Sequence, residues 1–401
     1  MQAILHIGDM KCGSTSIQEW ITRDAELLRE HGFWLSAVTR VVHYDSRLSC
    51  YGLDNRWIET EPRREAGIRD GTEVPAFRRD LERRLADEVA ALPPDARAML
   101  FSHEMLLTLK DHEVQRLADM LRPRFGGIRV VAYIRRQDRL ILSLWGQRLK
   151  QSHPGPAFCD HQIKHRSYLR MLDSWERAVG RDNLVVRIFD KAAFAEGDLE
   201  ADFRVAAGIP SDERYSMPVR TNESLDATAQ SLLLELGARL AAREEANRRG
   251  FVFFLLRLLN RRKYRNPQPI PIPIDLRNHL LQHHTGRGLM PGRGWAEQVM
   301  AAYEQENEEI RHRYFPECAR LFDDDFSDYA SDGGSPGAVL RACDPEALRE
   351  PSVVALEPGA ISEAYRLVLG REPRRVDIER ERGAAANIAH LYASLLTRRA
   401  A

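Results

Sequence analysis

Along the first half of the chain, short apolar runs alternate with longer stretches of helical periodicity. "AILHIG" (3–8) is a near-continuous apolar run, as expected of a strand buried in a parallel sheet. From about Thr15 to His31 the residues Ile17, Trp20, Ile21, Leu27 and Leu28 form an apolar stripe, and Gly32 is a natural stop after the last turn. Residues 40–75 are polar and irregular, rich in arginine and aromatic residues. A helix follows near 76–91, a strand at "RAMLFS" (97–102), a helix at about 112–122 and the clearest strand of the chain at "IRVVAYI" (128–134). Asp138 then opens a helix with Leu140, Ile141, Leu144, Trp145 and Leu149 on one face. "SYLRMLDSWERAV" (167–179) reads as a further helix and "LVVRIF" (184–189) as a further strand. Strands alternating with helices predict an α/β protein with a mostly parallel central sheet covered on both faces. Helical patterns dominate after about 225, and no internal repeat is visible.

Gly, Pro and Ser clusters with weak periodicity mark 331–360 as a linker. It divides a main domain, 1–330, from a small helical C-terminal appendage, 361–401. Composition then narrows the class. Lys+Arg and Asp+Glu are both 59, so no global field attracts nucleic acid. Cys12, Cys50, Cys159, Cys318 and Cys343 lack metal-type or disulfide-framework spacing, which fits a reducing, cytoplasmic compartment. No charged n-region, long apolar h-region or cleavage site is read at "MQAILHIG", so a secretory leader is not expected, and no run approaches 18 apolar residues. Residues 248–274 hold seven Lys/Arg and no acidic residue. Within them "FVFFLLRLLNRRKYR" (251–265) reads either as a peripheral membrane contact at the inner face or as an apolar face buried against the core or a second subunit.

The candidate chemistry starts at "HIGDMKCGSTSIQEW" (6–20), a strand, a Gly-containing turn and a helix start. Gly8 and Gly13 have the spacing of a Walker loop, but Ser14 occupies the lysine's place and Lys11 sits inside the turn. Backbone N–H groups at a helix N-terminus point at a bound anion. Gly13 permits close approach, and Ser14, Thr15 and Ser16 add hydroxyl donors. A lysine within such a loop lies alongside the bridging oxygens, placed to neutralise a leaving group; the plainer alternative is a turn with a solvated lysine. After the strand 128–134 comes "RRQDRLILSLW" (135–145). Arg135 leaves the end of a strand, where open α/β sheets bind ligands, and Ser143 follows eight residues later. Taken alone, Arg135 reads as a member of an ordinary ion pair.

With both elements in view the chain resembles the bacterial branch of the sulfotransferases that use 3′-phosphoadenylyl sulfate (PAPS). "KCGSTSIQ" (11–18) is similar to the family's 5′-phosphosulfate loop, and Arg135 with Ser143 to its 3′-phosphate site. "VVRIFDKAAFAEGDLEADFRVAAGI" (185–209), "RTNESLDATAQ" (220–230) and "LFDDDFSDY" (321–329) also look like the bacterial branch, so the resemblance covers about 1–330. "AYRLVLGREP" in the appendage resembles a short helical repeat attached to bacterial surface-glycan enzymes. One departure is "RRQD" where many members read "RNP", which leaves Arg136 as a substitute for Arg135.

The resemblance implies a three-layer P-loop-like fold and PAPS as sulfuryl donor, bound by Lys11, Cys12, Gly13, Ser14, Thr15, Ser16, Arg135 and Ser143. It implies a catalytic Lys11 that stabilises the leaving phosphate, no metal, and an acceptor hydroxyl on a sugar or glycan precursor. A general base for that hydroxyl belongs at a strand end facing the loop. "LFSHEMLL" (100–107) offers Glu104 first, as the family implies, and His103 second. His43 is the third candidate, in an irregular stretch that also carries Tyr44, Arg47, Arg56, Trp57, Arg63 and Arg64 as contacts for an acceptor. The rival readings are a nucleotide kinase or other NTPase, and a catalytically silent nucleotide- or glycan-binding module.

Overall fold

β1 (Gln2–His6), β2 (Phe33–Leu35), β3 (Ala98–Ser102), β4 (Ile128–Ile134) and β5 (Leu184–Ile188) form one all-parallel sheet in the order β2-β3-β1-β4-β5. The structure is a computed structural model, and it describes residues 1–41, 44–54, 63–64, 66–151, 167–216, 224–248, 272–329, 346–348 and 356–398. The helices of the same unit as the sheet include α1 (Ser14–Arg23), α2 (Ala25–Glu30), α3 (Ser46–Gly52), α4 (Val74–Ala90), α5 (Asp111–Leu121), α7 (Tyr168–Val179) and α8 (Leu199–Ala207); α6 (Gln137–Gln151) follows β4 in the chain. β1 lies in the middle. The chain leaves it for β2 and β3 on one side and then crosses to β4 and β5 on the other. The carboxyl end of β1 is therefore the switch point of the sheet, where such folds open a crevice.

The apolar runs of the central strands bury both faces, giving three layers. Ile4, Leu100, Val131 and Tyr133 pack with Ile17 and Trp20 of α1, Leu28 of α2 and Phe203 and Ala206 of α8. The alternate residues Leu5, Phe101, Val130 and Ala132 are equally buried on the opposite face. There the Phe101 ring meets Phe125 edge-on at 6.0 Å. The helices α5 and α7 are held near it, with Trp175 Nε1 donating to the Leu106 carbonyl at 3.3 Å.

Three local features depart from the sequence reading. The helix expected over 15–31 breaks at Asp24, whose carboxylate accepts the Ser216 backbone N–H at 3.1 Å instead of remaining on a helix face. β2 does not follow from the sequence pattern, because three residues carry no readable alternation and only Phe33 of the three is buried. The irregular stretch 40–75 contains α3, buried through Leu48, Ser49, Cys50 and Tyr51 rather than through a hydrophobic stripe. Its N-terminal neighbour Asp45 is fully buried; one carboxylate oxygen accepts the Ser102 N–H at 2.7 Å and the other the Thr39 hydroxyl. The Asp45 N–H in turn donates to the Ser102 carbonyl at 2.9 Å, which ties the segment to the end of β3.

Packing divides the chain into two units, and the division does not fall at 330. The first is Met1–Leu140, His165–Thr221 and Ala302–Asp323; it contains the sheet and α12 (Glu304–Tyr314), the fourth of the later helices. The second is Ile141–Lys164, Asn222–Ala301 and Asp324–Ala401. It holds α9 (Ala227–Arg248), α10 (Ile274–His283), α11 (Arg293–Ala302), α13 (Pro358–Ala364), α14 (Arg375–Ala384) and α15 (Ile388–Arg398), α11 ending at the boundary residue. Residues expected to form a separate appendage share one core with the others: Ile361, Tyr365, Leu391, Tyr392 and Leu395 pack with Trp145, Leu149, Leu233, Leu276 and Trp295. Leu348, expected in the linker, is buried in that core, and its carbonyl accepts Asn387 Nδ2 at 2.7 Å. The remainder of the expected linker, apart from 346–348 and 356–360, lies outside the described residues, as does 251–265.

A shared core has a measurable consequence. Leu395→Ala should destabilise the whole second unit by about 2–5 kcal/mol, the usual cost of a buried Leu→Ala change. Urea unfolding followed by tryptophan fluorescence, with Trp145 and Trp295 as reporters in that core, checks it. An unmoved midpoint would restore 361–398 as an independent appendage.

Candidate functional site

Three strand ends supply the candidate groups, and all of them belong to the first unit. The loop after β1 runs from Ile7 to Gly13. The Ile7 N–H donates to the Val131 carbonyl at 2.9 Å and the Cys12 N–H to the Asp9 carbonyl at 3.1 Å, so a tight turn spans Asp9–Cys12. Inside it Lys11 has φ 66°, a left-handed conformation that only Lys11 and Glu196 adopt among the described non-glycine residues. Such conformations cost of order 1–3 kcal/mol and persist where the surroundings enforce them. Gly13 follows with φ 74° and serves as N-cap of α1 without a side chain to cap it. Among the described residues no side chain caps the N-terminal N–H groups of α1, and the Ser14 hydroxyl donates to the Gly8 carbonyl at 3.5 Å.

Gly13 is required twice over. Its left-handed φ strains any other L-residue, and a Cβ there would stand 2.3 Å from Leu199 Cδ2 and 2.7 Å from Phe189 Cε2. Thr15 is exposed and Ser16 half-buried, so both hydroxyls stay near solvent. Cys12 can take part in the loop through its backbone alone. Its side chain is fully buried in the core beside Ile17 and Trp20, and burial with Asp9 nearby pushes its thiol well above the ordinary range. Only its backbone remains on the loop side.

Arg135, the first residue after β4, spans to the loop. Its Nη1 donates to the Lys11 carbonyl at 2.8 Å, and its guanidinium lies over the Phe189 ring at 5.2 Å. Its backbone N–H donates to the buried Tyr168 hydroxyl at 3.2 Å. No carboxylate stands within ion-pair distance of Arg135 among the described residues, so the ordinary ion-pair reading does not hold for it. Arg136 does hold such pairs. It is buried and bonded to Asp138, at 2.7 and 2.9 Å, and to Asp323 at 2.6 Å. That commitment removes Arg136 as a substitute for Arg135. Ser143 is half-buried in the part of α6 that belongs to the second unit, so the structure does not assemble it with Arg135 in one body.

At the end of β3, His103 and Glu104 are neighbours of the loop through β1, since the His103 N–H donates to the His6 carbonyl at 3.2 Å. Glu104 is half-buried and its Oε2 accepts from Gln18 Nε2, on the second turn of α1, at 3.4 Å. It therefore faces the helix that the loop opens. His103 is turned inward: it is buried, its Nδ1 lies 2.6 Å from Ser49 Oγ, and its ring packs on Tyr44 at 5.2 Å. Among the acceptor contacts, Arg63 is fully buried and donates to the Leu53 and Asp54 carbonyls, a structural role that withdraws it from any acceptor. Arg47 donates to the Val38 carbonyl at 3.1 Å. His43, Arg56 and Trp57 lie outside the described residues.

Sequence reasoning missed His6. The last residue of β1 is completely buried; its Nδ1 lies 2.7 Å from Ser102 Oγ, and burial alone lowers it to about 3, so it is neutral. In sequence it reads as one more position of an apolar strand, and only its place directly before the Gly8 turn marks it.

The comparisons with known proteins add little to this geometry. No family model matches the chain, and no solved structure matches it. A stretch of 142 residues is 28% identical to an uncharacterized protein of Archaeoglobus fulgidus, taking in 35% of this chain and 39% of that protein. The chain thus spans about two-fifths of that relative, which carries no stated activity. What fold and site define is a three-layer parallel α/β protein with a lysine-bearing, glycine-containing loop at its switch point.

Two stability experiments follow. Gly13→Ala should cost roughly 1–3 kcal/mol or more, because it adds both backbone strain and overpacking; an unchanged thermal midpoint would mean the turn is not held as described. The second concerns pH. Asp45 is raised from 3.8 to about 6 by burial, partly offset by Arg40, so its contribution to stability falls as pH rises from about 4 to about 6. His6 is lowered from 6.5 to about 3 by burial, so its contribution grows as pH rises through that same interval. Relative to wild type, Asp45→Asn should gain stability from pH about 4 to 6 and His6→Phe should lose it, both differences levelling off above about pH 6.5. Urea midpoints measured at stepped pH test the opposed slopes, and parallel curves would sink the assignment.

Proposed function

We propose that this protein is a sulfotransferase that moves a sulfuryl group from PAPS to an acceptor hydroxyl. The acceptor class is a carbohydrate, on a surface glycan or its precursor, and the compartment is the cytoplasm. One observation carries the reading: Lys11, Glu104 and Arg135 stand at the carboxyl ends of the three adjacent central strands of one unit, β1, β3 and β4. The residues fit an anionic donor. Gly13 offers no side chain to cap the helix start, and Arg135 is bound to the loop's own backbone with no carboxylate partner among the described residues.

Each group then has a role. The acceptor oxygen forms its bond to sulfur while the bond from sulfur to the bridging phosphate oxygen breaks. Lys11 meets the charge that grows on that leaving oxygen, and the α1 N-terminus holds the adjoining phosphate. Glu104 takes the acceptor proton, and its bond from Gln18 fixes it beside α1. Arg135 supplies a charge-assisted bond to the 3′-phosphate. His103, buried against Ser49 and Tyr44, supports the strand end rather than meeting substrate.

The test is transfer of radiolabel from PAPS to glycan and lipid-linked fractions, with the labelled product identified. Lys11→Ala should lower turnover roughly 10²–10³-fold, and Glu104→Gln roughly 10²–10⁴-fold with nucleotide affinity retained. Arg135→Ala should chiefly weaken binding of adenosine 3′,5′-bisphosphate and reduce its preference over the unphosphorylated 3′-hydroxyl nucleotide. Magnesium-dependent ATP turnover without sulfuryl transfer would replace this reading with an NTPase. Bisphosphate binding without transfer to any acceptor would replace it with a silent binding module.

A further inference from the structure

The completely buried imidazole of His6 has one nitrogen accounted for and one not. Nδ1 lies 2.7 Å from Ser102 Oγ, while Nε2 has no hydrogen-bond partner among the described residues. A neutral buried ring nitrogen left so is costly, and such a group in a native structure calls for an explanation. Its direction is fixed by Gly8. A Cβ built there would stand 2.9 Å from His6 Nε2 and 3.3 Å from Ser14 Oγ. The two polar atoms therefore look onto the same small volume above the bare Cα of Gly8, at the floor of the loop. Ser14 is itself buried, and its one side-chain hydrogen bond among the described residues, to the Gly8 carbonyl, is at the limit at 3.5 Å.

We propose that His6 is a positioning residue for the loop: with an anion bound, its Nε2–H donates to Ser14 Oγ, which turns the Ser14 O–H onto the anion. A hydroxyl has one proton and two lone pairs. An anion accepts only, so the serine must spend its single proton there, and something else must satisfy its oxygen. With the Ser102 hydroxyl donating to Nδ1, the proton of the neutral ring sits on Nε2, where that donor is needed. Phe203 and Tyr133 hold the ring edge-on at 5.3 and 5.8 Å. Gly8 is then required because a side chain would fill the space in which the two groups meet. The same imidazole joins the loop to the end of β3, one residue before His103 and two before Glu104.

This inference rests on anion binding by the loop, and the experiment separates it from the nucleotide reading. Dissociation constants for adenosine 3′,5′-bisphosphate and for inorganic pyrophosphate are measured by calorimetry for wild type, His6→Phe, Ser14→Ala and the double variant. Phenylalanine preserves the ring packing and removes both nitrogens. Each single change should weaken binding roughly 3- to 10-fold, the size of one neutral hydrogen bond, and the double variant should be little worse than either single one. His6→Gln, whose amide N–H can stand in for Nε2–H, should recover most of the affinity; if His6→Phe does not fold, His6→Leu takes its place in the cycle, and wild-type binding by that variant overturns the proposal. Losses that multiply in the double variant, or unchanged binding in His6→Phe and His6→Gln alike with Ser14→Ala weakened, overturn the proposal. Wild type that binds pyrophosphate and rejects the bisphosphate overturns the nucleotide reading alone, with the His6 cycle then read on pyrophosphate. Wild type that binds neither overturns both.

Discussion

Everything at the candidate site depends on the direction of five strands. Because all run the same way, their carboxyl ends share one edge, and the residues that leave β3, β1 and β4 emerge side by side. The register makes this concrete: His6 pairs with Ser102 on one side and Val131 on the other, so the ends of β1 and β3 lie level. An antiparallel neighbour would send its end to the opposite edge. The parallel arrangement in turn requires both faces covered, since long crossovers must pack somewhere. The helices α1 and α8 on one face are thus as much a condition of the site as the loop itself, and Leu199 of α8 closes against Gly13.

The parts of this arrangement carried by local patterns were legible in the chain. β1, β3 and β4 are apolar throughout, so their burial on two faces is written in consecutive residues, and the turn between β1 and α1 is marked by Gly8, Gly13 and three hydroxyl residues. The rest depends on partners distant in sequence. β2 is specified by the place left beside β3 more than by its three residues. α3 is buried through Ser46, Ser49 and Cys50, which a hydrophobic periodicity does not detect, and Asp45 anchors it to Ser102, 57 residues away. The C-terminal helices read as an appendage because their core partners lie in α6, α9, α10 and α11, more than 50 residues upstream.

The adjacent arginines illustrate how sequence leaves a role open that geometry divides. Both Arg135 and Arg136 follow a strand end, and either satisfies a pattern that asks for a cation there. Arg136 points into a buried setting and is matched by Asp138 and Asp323. Removing a carboxylate from such a group would leave a buried charge unpaired, at a cost of several kcal/mol. That makes it a structural cation. Arg135 is matched instead by a backbone carbonyl and an aromatic face, which orient a guanidinium without neutralising it. An oriented charge that is not neutralised attracts an anion; a neutralised one does not.

The same distinction applies to the two histidines beside the loop. His103 packs its ring on Tyr44 with Ser49 on Nδ1, while its position in sequence, next to Glu104, made it look like chemistry. His6 looked like core and is fully buried, yet it keeps one nitrogen facing the turn. A residue's depth therefore does not separate structural from functional histidines in this fold. What separates them is whether the hydrogen-bonding capacity of the ring is spent inside the protein. At the floor of the loop it is not, and the polar atom left over lies where Gly8 has given up its side chain. A bare glycine, a buried serine and an unspent nitrogen are each unfavourable alone. Together they are the layout expected of a turn whose polar groups are completed by what it binds.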